Sequence, residues 1–566
     1  MGLPSKFTED CSMTLAYFVM EIGLESDIPT YSGGLGILAG DTAYAFADMG
    51  IPAVFLTLLY KAGYTKQKLS PSGQQQDLEC RWLYKERLTP LRPVVRLEVE
   101  DSVMSLKLWQ YTVKGRVDVP VIFLDTDVLE NPPSFRSATD RLYLSEGRER
   151  LIQELILGVG GYRALKALDI SADLYQMNES HAALLTVELL KEYRSLAEVR
   201  RHCVFTTHTP VAGGHDSFPL QMVRDVLKKY YWMDWGSEAG GDAISLSHLA
   251  AKYSCLTNAV SLRHRFTSGR ILHSDDIEHV TNGVYHRRWV QEEIKGVFDK
   301  YIPSWEAEPH LLVHAYEIPP DELAMAHRSA KAKLVSLVDA QSTADFSEEP
   351  LTIGLAKRIT AYKRNGMVLG DPRRLAKIAD EHGRIQLVFA GKAHPKDDAG
   401  KESLVRMYEQ ANQAMMKTDK VKVAFIEDYS IEIAKVMVSG CDVWLNNPRR
   451  PLEASGTSGM KAALNGVLNL SVWDGWWLEG GVEGVNGWGI GRRPAWDALT
   501  ESDDSEDMEA LYTKLADQVL PMYYKGHSRW LEMAKASIAT IGPRFNTYRM
   551  VREYMAKWYA RSNSQT

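Results

Sequence analysis

The sequence predicts an α/β protein made of two doubly wound, Rossmann-like units, and three observations carry that prediction. In the second half, short apolar runs alternate with amphipathic stretches at a spacing that suits parallel strands joined by crossover helices. The first half repeats the pattern with longer insertions. Between the halves, DAQSTADFSEEP (339–350) has no hydrophobic period and reads as a hinge.

The strand candidates of the first half are LAYFVME (15–21), AVFLTLLY (53–60), VIFLDTD (121–127) and CVFTTHTP (203–210). Each is a short apolar run bounded by turn-forming residues. ILAGDTAYAFADMG (37–50) follows the first strand and reads as a helix. The apolar spacing in 140–168 predicts one long amphipathic helix. In the second half the strands are LTIGLA (351–356), IQLVFAG (385–391), VKVAFI (421–426), CDVWLN (441–446) and VLNLSV (467–472). Helical patterns fall between them at 366–382, 401–418 and 430–440. The acidic run ESDDSED (501–507) reads as a solvated loop, and TYRMVREYMAKWYARS (547–562) as a terminal helix.

With 566 residues the chain can hold two large domains, each with its own core. No segment approaches the about 18 consecutive apolar residues of a membrane span, and MGLPSKFTEDCSM lacks the apolar core of a secretory signal. Cys11, Cys80, Cys203, Cys255 and Cys441 are scattered without metal-like spacing and read as reduced thiols of a cytoplasmic protein. A net charge of −7 excludes a general attraction for nucleic acid or anionic membrane. Small basic spots, KRITAYKR (357–364) and NPRRP (447–451), point instead to small anionic ligands.

Four segments carry chemistry. Glu453 to Glu479 reads EASGTSGMKAALNGVLNLSVWDGWWLE: a Gly/Ser/Thr turn runs into a helix bearing Lys461. Backbone N–H groups at such a turn suit a phosphate, and a lysine there can add charge or condense with an aldehyde cofactor. Tyr31-Ser32-Gly33-Gly34-Leu35-Gly36 lies between a strand and a helix, another phosphate-cradle pattern. Lys357, Arg358, Lys363 and Arg364 stand at the carboxyl end of a strand, where α/β proteins bind ligands. His208 in TTHTP and Asn282 in VTNGVYHRRW complete the set, while His181 in MNESHAALLTVELL reads as a loop brace.

Glu453, Ala454, Ser455, Gly456, Thr457, Met460 and Lys461 closely resemble the pyridoxal-phosphate segment of the α-glucan (glycogen, starch, maltodextrin) phosphorylases, and the other segments fit the same family. The resemblance implies a GT-B architecture: two Rossmann-like domains facing across a cleft, at 1–345 and 346–545, with a crossover helix at 546–566 returning to the first. It implies pyridoxal 5'-phosphate held as an imine on Lys461, in a site made apolar by Met460, Leu464 and nearby tryptophans, with Lys357, Thr457, Ser458 and Gly34 toward the cofactor phosphate. It assigns Arg358 and Lys363 to inorganic phosphate, His208 to the catalytic side of the glucose site, and Glu453, Asn282, Ser455, Gly456, Gly33 and Gly34 to the substrate. The implied reaction releases glucose 1-phosphate from the non-reducing end of an α-1,4-glucan or maltodextrin with retention, the cofactor phosphate relaying a proton. No metal is implied, and a homo-oligomer is compatible.

Two departures accompany the likeness. The glycine loop begins at Gly33, without the longer regulatory region that precedes it in the animal and plant enzymes, which implies insensitivity to AMP and to phosphorylation. Ser458-Gly459 stand where those enzymes have Gly-Asn, and Trp476-Trp477 where they have Ala-Asn. Three other readings compete: a nucleotide-sugar-dependent glucan synthase, which shares the fold and glycine loop; a catalytically silent glycogen-binding scaffold; and a pyridoxal-phosphate aminotransferase, whose cofactor site belongs to another fold. The synthase has no use for a cofactor lysine, and a silent scaffold has no reason to keep Lys461, Arg358 and Lys363.

Overall fold

The computed structural model describes residues 13–564 apart from 145–146 and 212–213, with side chains through residue 557. Cys11 and the first twelve residues lie outside the described residues. Nine strands form the first sheet: β1 (Leu15–Val19), β2 (Ala53–Leu58), β3 (Thr89–Val99), β4 (Ser102–Val113), β5 (Val119–Asp125), β6 (Leu174–Asn178), β7 (Cys203–Thr206), β8 (Leu256–Ala259) and β9 (Glu278–His279). Their order is β9-β8-β7-β6-β1-β2-β5-β4-β3. The strands from β9 to β5 run parallel, and β4 and β3 add an antiparallel edge. Every residue of β1, β2, β6, β7 and β8 is buried, as a parallel sheet covered on both faces requires.

The second sheet is wholly parallel: β10 (Leu351–Ala356), β11 (Ile385–Ala390), β12 (Val421–Ile426), β13 (Val443–Asn446), β14 (Leu468–Val472) and β15 (Gly487–Ile490), in the order β12-β11-β10-β13-β14-β15. The α/β class with parallel sheets is as the sequence predicts. Strands β6, β8, β9 and β15 have no counterpart in that prediction, and neither does the hairpin β3–β4. Its signal is a period of two, since Val95, Leu97 and Val99 are buried and alternate with Arg96 and Glu98.

Two expectations are corrected. The segment 140–168 is not one helix: Gly147–Leu155 and Gly161–Ala167 flank a π-helical turn at Ile156–Gly160. There Gly158 touches the backbone of the next segment, and a Cβ on it would lie 2.5 Å from the Leu185 nitrogen. The acidic run 501–507 is not a solvated loop. Asp503 caps a helix at Asp504–Lys514, and Asp507 is fully buried against Arg364 and Arg450.

Three features join the sheets. Helix α1 (Gly34–Met49) follows β1, and the last helix, α2 (Thr547–Ser564), lies against it. Tyr548, Met550, Val551 and Tyr554 share one apolar cluster with Tyr17, Phe46 and Phe55. The helix Pro320–Gln341 packs instead with the second sheet, its Leu334 and Val338 sharing that core with Leu351. A hairpin, Lys66–Leu69 with Gln75–Leu78, reaches the second sheet through its glutamines: Gln67 Nε2 donates to the Gly391 carbonyl and Gln75 Nε2 to that of Ala393, each at 2.9 Å.

Candidate active site

The second sheet ends in a row of crossovers, and the candidate residues of this half lie on two of them. Lys357 follows β10 and Asn447 follows its parallel neighbour β13, so the two side chains meet: Lys357 Nζ donates to Asn447 Oδ1 at 2.6 Å. Burial and the Lys363 charge hold the Lys357 amine well below the usual lysine range. A short 3-10 turn, Ala361–Lys363, then places Lys363 against the Glu453 carboxylate. Burial alone would lower Lys363, but the Glu453 charge outweighs it and holds the amine above its ordinary value. Arg358 is solvent-exposed and faces Tyr362, Glu21, Tyr143 and Tyr64. Among the described residues neither Lys357 nor Arg358 forms an ion pair within 4.0 Å.

Arg364, the fourth cation of KRITAYKR, turns away from this group. Its φ of 49° reverses the chain, and its buried guanidinium bonds the Asn447 and Pro448 carbonyls, Asp504 and Asp507. In NPRRP, Arg449 pairs with Asp504 and Arg450 with Asp507. The expected small-anion spot at 447–451 is therefore neutralised from within.

On the second crossover, Glu453 N donates to Asp474 Oδ2 at 3.0 Å. Gly456 has φ 78°, and Gly475 has φ 50° and rests on the Ser455 carbonyl, which accepts from Trp476 N at 3.0 Å. Ser458 Oγ accepts from Trp444 Nε1 at 3.0 Å. The helix Ser458–Leu464 begins after Thr457, whose side chain makes no capping bond. The Gly459 and Trp476 departures form one packing unit: a Cβ on Gly459 would run into Asn469 Oδ1 and lie 2.8 Å from the Trp476 ring. Trp476 and Trp477 are both buried, edge to face at 5.2 Å.

Lys461 is buried, with its ammonium 3.8 Å from the centre of the Trp289 ring. Burial lowers it to about 8, with Asp41 opposing and Arg288 reinforcing that shift. No carboxylate lies within 4.0 Å of it among the described residues. Asp41, on α1, is committed elsewhere, to Tyr285 N at 3.0 Å, Trp289 Nε1 at 2.8 Å and Arg288 at 3.2 Å. Met460 and Leu464 are fully buried beside it in the sequence.

The first sheet supplies the rest. Glu21, just past β1, accepts from Ser32 N at 2.5 Å and Gly33 N at 3.2 Å, and from Tyr143 at 2.8 Å. Two amides of the glycine loop are thus held by a carboxylate of the protein, leaving the start of α1 at Gly34 with open space beside it. A Cβ on Gly33 would stand 3.5 Å from Arg358, so the loop and the basic cluster face each other. His208 Nε2 bonds Asn178 Oδ1 at 2.7 Å, its backbone N–H bonds Glu179 at 2.5 Å, and burial lowers the ring to about 3, so it is neutral. His181 faces Asp216 at 3.4 Å and Tyr143 edge-on. Asn282 is buried, and among the described residues its Oδ1 has no hydrogen-bond partner.

Sequence reasoning assigned no role to Glu21, Asp41, Trp289, Asn447, Asp474 or Arg263. Asp41 and Trp289 stand inside quoted motifs, but only folding brings them to Lys461.

The sequence comparisons bear on this geometry. Residues 232–480 match the carbohydrate phosphorylase family. The chain is 39% identical to a maltodextrin phosphorylase of Thermococcus litoralis, an alignment covering 96% of this chain and 70% of that protein. The chain belongs to the carbohydrate phosphorylase family. Other relatives of this phosphorylase-family chain include glycogen phosphorylases of Aquifex aeolicus, 32% identical over 99% of this chain and 88% of the relative, and of Mycobacterium tuberculosis, 34% identical over 96% and 70%. The matched segment contains Asn282, Lys357, Arg358, Lys363, Glu453 and Lys461. Among the described residues no helix is long and apolar enough to cross a membrane.

Proposed function

We propose that this chain is an α-1,4-glucan phosphorylase, a glycosyltransferase that moves the terminal glucose of a glucan or maltodextrin onto inorganic phosphate with retention, yielding glucose 1-phosphate. One observation carries the reading: among the described residues Lys357, Arg358 and Lys461, on the crossovers after two neighbouring strands of the second sheet, have no carboxylate partner, while Lys363 is paired with a carboxylate suited to a sugar. Cations without protein anions suit anionic ligands that bring their own charge.

The residues also fit pyridoxal 5'-phosphate. Lys461 offers an amine made easier to deprotonate by burial, on the face of Trp289 and between apolar neighbours. Lys461 would hold the group, with Lys357, the Thr457-Ser458 turn and Gly34 toward its phosphate. Bound there, the cofactor supplies a phosphate as an acid–base group next to the substrate phosphate.

The chain's own residues do the remaining work. Arg358 presents a fork of donors to the attacking phosphate and Lys363 a mobile charge, which suits an oxyanion whose charge distribution changes during reaction. Glu453, fixed by Asp474 and Lys363, accepts sugar hydroxyls. The unpartnered Asn282 Oδ1 accepts another, and Ser455 and Gly456 line the same turn. His208, neutral and bonded to Asn178, shapes the first-sheet wall. Gly33 and Gly34 let the ligand approach the backbone closely.

The nucleotide-sugar synthase finds no support among the relatives named above and leaves Lys461 unexplained. The test is to incubate the purified protein with maltodextrin and inorganic phosphate and measure glucose 1-phosphate, while recording its near-ultraviolet spectrum. Glucose 1-phosphate together with pyridoxal absorbance is expected. Glucosyl transfer from a nucleotide sugar by a pyridoxal-free protein would establish the synthase instead.

A further inference from the structure

Arg263 opens the helix Leu262–Leu272 of the first half, yet its side chain ends among residues of the second. It is 1% exposed. Its Nε lies 3.1 Å from Asp474 Oδ1, and its Nη2 donates to the Ala498 carbonyl at 2.6 Å. Asp474 uses its other oxygen to accept the Glu453 N–H. A second contact joins the same regions: Ser261 Oγ donates to the Ala454 carbonyl at 2.5 Å. Leu262 N donates to Glu479 at 2.9 Å, and Thr281, the neighbour of Asn282, donates to the same carboxylate at 2.8 Å. The 453–455 turn is therefore held from the opposite half of the molecule.

We infer that Arg263 is a positioning residue for the sugar clamp: reaching across from the first half, it keeps Asp474 directed at the Glu453 backbone and so sets the Glu453 carboxylate beside Lys363. A surface arginine would not need this arrangement. Burying a guanidinium is costly even when it is paired, and among the described residues Arg263 Nη1 has no hydrogen-bond partner, so stability alone explains its place poorly. The helix that carries it belongs to the first half and Glu453 to the second. Arg263 thus makes the sugar clamp depend on how the two halves meet.

The charged groups facing Asp474 are Arg263 from its helix and Glu453 from the crossover, with Arg450 behind Arg263 and Lys363 beyond Glu453. Burial pushes Asp474 up to about 7, Arg263 pulls it down and Glu453 pushes it up. Removing Arg263 must raise it further, so Asp474 stays protonated to higher pH.

The inference rests on the proposed role of Glu453, and the experiment separates the two. Phosphorolysis of maltodextrin is measured in the full-length holoenzyme for Arg263→Met, Arg263→Lys and Glu453→Gln, varying glucan and phosphate in turn. For Arg263→Met, kcat/KM for glucan should fall about tenfold or more with KM for phosphate within about twofold, and the acid limb of the pH profile should move to higher pH. Arg263→Lys, which keeps a charge on a shorter reach, should lose less glucan efficiency and keep the limb in place; if Arg263→Met is insoluble, the lysine variant decides alone. Unchanged glucan kinetics in the soluble Arg263 variants, or equal losses toward glucan and phosphate, would overturn the inference. Wild-type kinetics in Glu453→Gln would overturn the underlying reading of Glu453 itself.

Discussion

Two basic clusters follow neighbouring parallel strands of the second sheet, and they end in opposite electrostatic states. After β10, among the described residues, Lys357 and Arg358 have no carboxylate partner and Lys363 has one, on the facing crossover. After β13, Arg449 and Arg450 are paired with Asp504 and Asp507, and Arg364 leaves the first cluster to join them. In sequence both are runs of Lys and Arg beside a turn. The difference is made by the acidic helix start at 503–507, which folds back onto one cluster and not the other. A basic run is therefore informative about ligands only once its partners are known.

The sharpest way to break this contrast is at Lys461, the cation most deeply withdrawn on the ligand side. Lys461→Ala should abolish phosphorolysis and the pyridoxal absorbance while leaving the fold intact. In the cofactor-free wild type the amine should titrate near about 8. Its folded value lies below its unfolded one, so the unfolded chain binds more protons between the two, and stability rises with pH across that window. Trapping an aldehyde on the Lys461 peptide with borohydride at a series of pH values reads that titration. A yield that first rises near the ordinary lysine value would contradict the burial argument.

The structural cluster should respond in stability rather than rate. Asp507→Ala leaves Arg364 and Arg450 without their buried counter-charge and should cost about 3–5 kcal/mol, seen as a lower denaturant midpoint. The folded enzyme's phosphate kinetics should be nearly unchanged. If phosphate affinity collapsed while the midpoint stayed put, the two clusters would have been assigned the wrong way round.

Arg358→Ala tests the opposite side. Losing a preorganised donor to the phosphate should remove about 2–4 kcal/mol of transition-state stabilisation, most of it in kcat, with little change in thermal stability because the side chain is solvent-exposed. An effect confined to glucan affinity would put Arg358 outside the phosphate site.

The smallest effect belongs to Arg449→Ala. Arg449 and Asp504 are 34% and 50% exposed, and pairs of that kind contribute about 0–1 kcal/mol. A larger loss would mean that Arg449 reaches beyond its partner.

Much of the second sheet was legible because its strands are buried on both faces and separated by helices of one period; LTIGLA and VKVAFI coincide with β10 and β12. The edge hairpin β3–β4 was harder to read because polar residues interrupt its apolar face. The π-turn at Ile156–Gly160 was not legible at all, since its apolar residues continue those of the helix before it, and the close packing of Gly158 on Leu184 and Leu185 is tertiary. At the candidate site, Lys357, Arg358, Lys363, Glu453 and Lys461 stood out as residues. Their partners did not: Asn447, Asp474, Asp41 and Trp289 are ordinary side chains until folding sets them 2.6–3.8 Å from a candidate group or from one another.

By itself the sequence determined most strands of the second sheet, where the cation-bearing crossovers fall and which chemistry the lysine–glycine turn can support, because periodicity, turn residues and residue type are local properties. Only the tertiary structure decided which cations keep free charge, how the Glu453 turn is held by Arg263 from the other half, and why Gly459 accompanies Trp476. Charge state and packing depend on neighbours brought from hundreds of residues away, and a pairing such as Arg263 with Asp474 leaves no local trace in the chain.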